Sequence, residues 1–447
     1  MKKVILLLSI LCYATTLSAQ TKVLSFQDAL QMAIQQNVGI RKAQNNIETA
    51  KWDVYGSKNL FLPNATFNVG FTFQSGSNLL TIATPALVAS TFTGLNFQAN
   101  SNYVIADGGA RKHQVLASQK TEEAANSQLK FTRQQVVNDL SLAFLQLSLD
   151  RRMIEITTQN WRLSQERDTI LTDLVKAGLR LPNELYQQQA QTRLDEQQVI
   201  AAKNALQSRK IFLIRRLNLP GDDYDFQELA EEGLPTLAGQ DLIGSAYAKR
   251  YDLLTLKQQR EAIALRTPQI QAALKPQLVA SGGFTTAGRH LFQQNINGTD
   301  VLSTIEQRNI IRQLGNQINV YAGLSLVWNI FDRNQTKTAV AKNRIEESNR
   351  ELDILDRQDQ IRAEINQALT DYETARQQFT TAQAQLSAAQ AAFELQEGRF
   401  QNGLAPLVDL FVAQNTLASA KVNVARAGIQ VRYQQKLLQF LVGDGQE

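Results

Sequence analysis

The stretch Asn64-Ala65-Thr66-Phe67-Asn68-Val69-Gly70-Phe71-Thr72-Phe73-Gln74 decides how this chain is read. Ala65, Phe67, Val69, Phe71 and Phe73 are apolar, and Asn64, Thr66, Asn68, Thr72 and Gln74 between them are polar. A period of two held for about ten residues describes a strand with one greasy and one wet face. Leu95, Phe97, Ala99 and Tyr103 repeat the pattern against Asn96, Gln98, Asn100 and Asn102. Later, Ile318, Val320, Ala322, Leu324, Leu326, Trp328 and Ile330 oppose Gln317, Asn319, Ser325 and Asn329. A weaker fourth segment, Gln277 to Gly288, is softened by Gly282-Gly283. The expected strands are therefore 64–76, 91–104, 277–288 and 317–330.

Taken alone, each segment favours a half-buried soluble hairpin over a barrel strand, which needs about ten alternating residues to cross a membrane. The N-terminus favours the membrane. Lys2-Lys3, an apolar run from Val4 to Ala14 and Thr16-Leu17-Ser18-Ala19 before Gln20 follow the order of a secretory signal. Residues 1–19 are expected to be removed. The run is shorter than the roughly 20 residues of a spanning helix, and Leu11 ahead of Cys12 is not the small residue a lipid-anchored product needs. Four strands cannot close, because the smallest spanning barrels use about eight, and an open edge in lipid strands its backbone groups. Several chains must share a barrel, of about eight strands for a dimer or 12 for a trimer, and counting alone does not choose.

Composition excludes most catalysis. The 447 residues include 46 Lys+Arg, 41 Asp+Glu, 43% hydrophobic and 19% charged residues, a balance that supports a folded core. Cys12 is the one cysteine and lies in the leader, so disulfides, thiol chemistry and Cys/His zinc sites are excluded from the mature chain. His113, early in a long helix, and His290, in a loop, are expected to be solvent-exposed and have no matching acid or nucleophile. Removing Lys2 and Lys3 takes the formal +5 to +3, scattered along helices, which implies no nucleic acid. Gly108-Gly109 lacks a dinucleotide fingerprint and reads as a strand-to-helix hinge. No cofactor or metal is implied, and Met32 and Met153 are isolated.

The chain also repeats itself. An offset of 213 (241 − 28) aligns Asp28 with Asp241, Ala33 with Ala246, Glu48 with Glu261 and Pro63 with Pro276. An offset of 225 (332 − 107) then aligns Asp107 with Asp332, Ala143 with Ala368, Gly178-Leu179 with Gly403-Leu404, Leu185 with Leu410 and Gln189 with Gln414. The organisation expected is a signal (1–19), a first repeat (20–216), an inter-repeat segment (217–243), a second repeat (244–443) and a tail (444–447). Pro63, Pro276, Gly108 and Asp332 mark helix-strand junctions.

In the second half Ile365, Tyr372, Phe379, Leu386, Phe393 and Phe400 recur every seventh residue, with Ala368, Ala375, Ala382 and Ala389 three places after the first four. Large residues on one seam position and alanine on the other specify close, left-handed coiling. The first half carries a diluted copy in Leu140, Leu147, Ile154, Trp161 and Val175, broken by Asp168; its return helix is interrupted by Thr192. A helix from about Ala110 to Ala177 would reach roughly 100 Å at 1.5 Å per residue. A free-standing coiled coil explains the heptads but not the strands that feed them.

With these features together the sequence resembles the TolC-like outer-membrane efflux family over essentially the whole mature chain. The most specific match is the pair of tips, Ala177-Gly178-Leu179 through Glu184-Leu185 and Asn402-Gly403-Leu404 through Asp409-Leu410. The resemblance implies an α+β membrane protein: a homotrimer with a 12-stranded outer-membrane β-barrel, four strands per chain, continued by an α-helical coiled-coil periplasmic tunnel, with 217–243 in a belt around it. It implies a passive exit channel for a tripartite efflux or type I secretion system, partnered by an inner-membrane pump and a periplasmic adaptor, and no enzyme. Gly178, Leu179, Gly403 and Leu404 would dock the adaptor. Asp409 falls where the family places an acidic ring around the periplasmic aperture, and Glu184 is its counterpart; on the residues alone, both equally suit helix N-termini, worth roughly 0.3–1 kcal/mol. Val412 departs from a second acidic position, and Phe400 and Ala405 from the tyrosine and arginine of a latch, so closure here is expected to use Phe400 and Arg180. Pro182 and Pro406 suit the first turns of the return helices. The competing reading is a periplasmic coiled-coil scaffold or adaptor that never enters the membrane.

Overall fold

The computed structural model describes residues 22–81, 85–221, 223–227, 241–301 and 309–443. The leader and tail readings lie outside them, as does most of the inter-repeat segment. The chain divides into two units: residues up to 47, 124–256 and from 353 onward in one, and 48–123 and 257–352 in the other.

The second unit contains an antiparallel sheet. Its strands are β2 (Asn64–Thr81), β3 (Pro85–Ala106), β5 (Gln277–Ile296), β6 (Thr299–Asp300) and β7 (Asn319–Val327), numbered after the short β1 (Lys22–Leu24) and β4 (Tyr224–Phe226) of the other unit. The order is β2-β3-β5, with β6 and β7 both pairing β5. Register places Val69 opposite Phe97 and Phe71 opposite Leu95, so the apolar positions share one face. Phe67, Val69, Phe71 and Phe73 are 56% to 70% exposed on it. That is the outward apolar, inward polar pattern of a membrane barrel. On the polar face the Tyr321 hydroxyl donates to Asn100 Oδ1 at 2.7 Å. Gly283 leaves room for this crossing, since a Cβ there would lie 2.3 Å from the Ala99 carbonyl and 3.1 Å from the Tyr321 hydroxyl.

Three strands, β2, β3 and β5, outrun the alternation that revealed them. β2 continues past Gln74 through Ser75-Gly76-Ser77-Asn78, where the Ser75 and Thr91 hydroxyls share a 2.9 Å hydrogen bond across the ladder. β5 runs on to Ile296 and carries His290, which corrects its placement in a loop; the ring is half-buried against Phe292 at 4.9 Å. The turn after β5 is Asn297-Gly298, both at positive φ, a hairpin signal in the sequence. β7 is shorter than expected. Trp328 Nε1 and Asn329 Nδ2 turn away to the carbonyls of Leu274 and Ala273, at 3.1 and 3.4 Å, which ends the ladder at Val327.

The helices of the first half are α1 (Phe26–Gln36), α2 (Val38–Asn59), α3 (Ala110–Lys176) and α4 (Pro182–Leu217). Those of the second are α5 (Leu242–Lys249), α6 (Tyr251–Gln271), α7 (Ile310–Asn316), α8 (Gln335–Gln401) and α9 (Leu407–Val442). α3 and α8 have 67 residues each. Pro63 and Pro276 stand immediately before β2 and β5. Asp107 and Asp332 cap the helices that follow: Asp107 Oδ2 accepts from Arg111 N at 3.0 Å, and Asp332 Oδ2 from Thr336 N at 2.8 Å. Both turns pass through the left-handed region, by Gly108 and Gly109 in one and Arg333 and Asn334 in the other. Lys275 lies across Gly108, its Nζ donating to the Gly108 carbonyl at 3.1 Å.

Of the apolar clusters in the first unit, two are related by the repeat. One joins Ala29, Ala33, Leu140, Phe144, Leu213, Leu217 and Phe226. The other joins Leu242, Ala246, Ile361, Ile365, Leu438 and Val442. The offsets 213 and 225 carry Ala29, Ala33, Leu140, Leu213 and Leu217 of the first onto Leu242, Ala246, Ile365, Leu438 and Val442 of the second. Phe144 is fully buried, edge-on to Phe26 at 5.2 Å and Phe226 at 5.8 Å. β1 and β4 pair in parallel beside this cluster, which brings part of the inter-repeat segment onto the helices. The heptad alanines Ala368, Ala375, Ala382 and Ala389 are buried, as that seam requires.

Candidate functional site: the helix tips

Both long helices end in the same backbone motif. Gly178 N donates to the Val175 carbonyl at 3.0 Å and Leu179 N to Leu174 at 2.8 Å; Gly403 N donates to Phe400 at 3.0 Å and Leu404 N to Arg399 at 2.8 Å. Gly178 and Gly403 sit at φ +72 and +71. These paired bonds form the Schellman closure, which uses the carbonyls a helix end leaves free and needs a left-handed residue. Leu179 and Leu404, just beyond, are both 70% exposed. Pro182 opens α4 as its first residue, whereas Pro406 stands one place ahead of α9, as its N-cap.

Arg180 joins the two tips. Its guanidinium carbon lies 4.8 Å from the Phe400 ring centroid, and Nη2 donates to the Phe400 carbonyl at 3.3 Å. Nη1 lies 3.5 Å from Glu184 Oε2. Thus Arg180, Glu184 and Phe400 meet. Asp409 does not join them: it is exposed in the first turn of α9 and forms no ion pair among the described residues. Val412 is exposed and Ala405 buried.

Away from the tips, toward the middle of the hairpins, is a buried polar layer that the sequence presented only as broken heptads. Ser164, Arg167, Gln188, Thr192, Asp195 and Gln414 are all buried. Ser164 Oγ donates to Asp195, and Arg167 Nη1 to Gln414 Oε1. Gln188 Nε2 donates to the Ser164 carbonyl at 3.0 Å, Gln191 to Asp195 Oδ1 at 2.8 Å, and Gln414 Nε2 to Asn160 Oδ1 at 2.9 Å. Arg167 also reaches Glu397 at 3.3 Å and lies over the Phe393 ring at 5.4 Å. One guanidinium on α3 is therefore bonded to α8 and α9. Burial pushes the Asp195 carboxyl up, against the hydrogen bonds of Ser164 and Gln191 and the Arg167 charge. The readable signal was the spacing: Gln188, Thr192 and Asp195 continue the seam in polar residues.

A second ionic cluster stands at the start of α6. Arg250 is bidentate to Asp252 at 3.0 and 2.7 Å and reaches Glu364 at 3.0 Å; Arg357 bridges the same two carboxylates at 2.9 Å each. Burial pushes Asp252 up, but hydrogen bonds and charge from Arg250, then Arg357, outweigh it and hold the carboxyl below its ordinary range.

No His/Cys/Asp/Glu group among the described residues could hold a metal. His113 is half-buried rather than exposed as expected, its Nδ1 without a hydrogen-bond partner. No described helix is long and apolar enough to cross a membrane, and the alternating sheet is the element with a lipid-compatible face.

Comparison with known proteins agrees with this geometry. No curated protein sequence matches the chain significantly. Among solved structures, it resembles CusC, described as undergoing conformational changes accompanying folding and transmembrane channel formation, with 13% identity, 94% of this chain and 92% of that chain covered, and a TM-score of 0.77. It resembles the outer-membrane channel CmeC of Campylobacter jejuni, with 16% identity, 94% and 86% covered, and a TM-score of 0.74. It also resembles the outer-membrane protein VceC of Vibrio cholerae, with 15% identity, 94% and 96% covered, and a TM-score of 0.73. At such identities these likenesses speak for the fold. The model of the family described as outer membrane efflux protein matches residues 29–218 and 242–444, and the chain belongs to that family.

Proposed function

We propose that three copies of this chain close one 12-stranded barrel, and that their helical hairpins line a periplasmic passage ending at the paired tips. The chain is a non-enzymatic outer-membrane exit channel, with most of its length on the periplasmic side. The observation that carries the shared barrel is the sheet itself: among the described residues β2 and β7 each pair on one side only, while the face bearing Phe67, Phe71 and Leu324 is apolar and exposed. Lipid tolerates that face but not those edges. Gly178, Leu179, Gly403 and Leu404 present the docking edge for a periplasmic adaptor joined to an inner-membrane pump, while Arg180, Glu184, Phe400 and Asp409 set the aperture. The two halves act as structural repeats, each supplying one hairpin.

The test is conductance. Purified protein reconstituted in a planar bilayer should give discrete, ohmic channel steps; protein that remains water-soluble without detergent and gives no steps would return the chain to a periplasmic scaffold.

A further inference from the structure

The outer edge of β5 is covered by three different elements. β7 pairs Gln277 to Thr285, and β6 pairs Asn295 and Ile296. Between them α7 takes the place of a strand. Gln313 offers its side-chain amide to Arg289 as a neighbouring strand would, accepting from Arg289 N at 2.9 Å and donating to the Arg289 carbonyl at 2.8 Å. Thr286 Oγ1 donates to the Leu314 carbonyl at 2.6 Å. Gly288 seats the helix: a Cβ there would come within 2.7 Å of the Ile310 carbonyl and 3.3 Å of Leu314.

This arrangement leaves the sheet's two free edges unequal, nine residues on β7 and 18 on β2. Nine residues are about what a tilted strand needs to cross the hydrocarbon layer. β2 is thus longer than any ladder β7 can offer, and its outer part carries Phe73 and Leu79 exposed. On its free side α7 presents Ile311, 83% exposed, and one turn later Gly315, where a Cβ would meet nothing within 4 Å, with Arg312 exposed beside them.

We infer that the seam between copies is a strand ladder in its inner half and a helix-on-strand contact in its outer half, with the Ile311–Gly315 side of α7 packed on the outer half of β2 from a second copy. The inference rests on the shared barrel proposed above. The occupant is another copy because the partner strand of β7 continues past its end, so the next element it meets is α7.

The mature chain is read as cysteine-free, so engineered pairs report without background. Ile311→Cys would be combined in turn with Phe73→Cys, Ser75→Cys, Ser77→Cys and Leu79→Cys, and oxidised in isolated outer membranes. Leu324→Cys with Phe67→Cys or Val69→Cys reports the ladder. Expected are dimer-mass bands for at least one Ile311 pair and one Leu324 pair, with Gly288→Val abolishing the former and sparing the latter. Ladder bands without any Ile311 band, or Ile311 links formed within one chain, would overturn the helix contact and leave the shared barrel standing. Loss of both sets would overturn the shared barrel and this inference with it.

Discussion

Arg180 stacks on Phe400 at 4.8 Å across the gap between the two hairpin tips while its other nitrogen faces Glu184. The contact lies at the end of helices 67 residues long, on the tip side of the buried Arg167 cross-link to Glu397 and Gln414. A cation over an aromatic face is worth about 1 kcal/mol, or roughly fivefold in an equilibrium. Arg180→Ala and Phe400→Ala should each raise the open fraction of single channels by about that factor. Unchanged open fractions in both would remove Arg180 and Phe400 from closure.

Asp409 is exposed and outside that contact, so its charge should act on ions rather than on the gate. Asp409→Ala is expected to lower cation preference, read as a shift of reversal potential in a salt gradient, with opening unchanged. An unaltered reversal potential would show that the carboxylate does not face the conduction path.

Gly403 holds φ +71 in a closure that leaves its neighbour Leu404 exposed. A side chain at positive φ costs roughly 1–2 kcal/mol, too little to unfold hairpins of this size. Gly403→Leu should therefore leave assembled protein in the outer membrane and abolish efflux, measured as drug resistance of the producing strain. Retained resistance would argue against docking at the tips.

Two aspartates, the buried Asp195 and the half-buried Asp252, should respond to pH in opposite senses. Asp252, held low by its two arginines, contributes stability above the unfolded carboxylate range that is lost as pH falls through its folded pKa. Asp252→Asn should cost roughly 3 kcal/mol near neutrality, the gap closing in acid. Asp195 is pushed up by burial, so its favourable contribution belongs to low pH and is lost as pH rises through its folded pKa. Asp195→Asn should raise the melting temperature near neutrality, with the gain shrinking in acid. Melting of detergent-solubilised protein between about pH 3 and 8 checks both, and slopes of the same sign would contradict the assignment.

Arg333 and Asn334 make the turn that Gly108 and Gly109 make in the other half. Arg333→Gly should remove left-handed strain and stabilise the chain by about 1 kcal/mol, read as a higher unfolding midpoint. A lower midpoint would mean that the arginine side chain contributes more than its backbone costs.

The strands were legible where one face meets lipid, because only apolar residues such as Phe67 to Phe73 suit it and the alternation is forced. Beyond Gln74 that constraint lifts, and Ser75 to Asn78 carry no period, although the ladder continues. The seam of α8 was legible through its alanines. The polar layer showed only as Thr192 breaking the seam, because Gln188, Thr192 and Asp195 look like a wetted helix face until Ser164, Arg167 and Gln414 are brought against them. At the tips, glycine spacing located the turns and the missing latch residues pointed to Phe400 and Arg180, but the stacking of the one on the other, 220 residues apart, is a tertiary fact. Asp107 was visible as the partner of Asp332 in the repeat alignment, yet its capping role emerged only from the geometry around Arg111.

The most direct measurement is the native mass of the protein extracted by detergent from purified outer membranes. Three chains per particle is the predicted result, since four strands from each then close a barrel of 12; a monomer or dimer released without detergent would contradict the shared barrel and the channel built upon it.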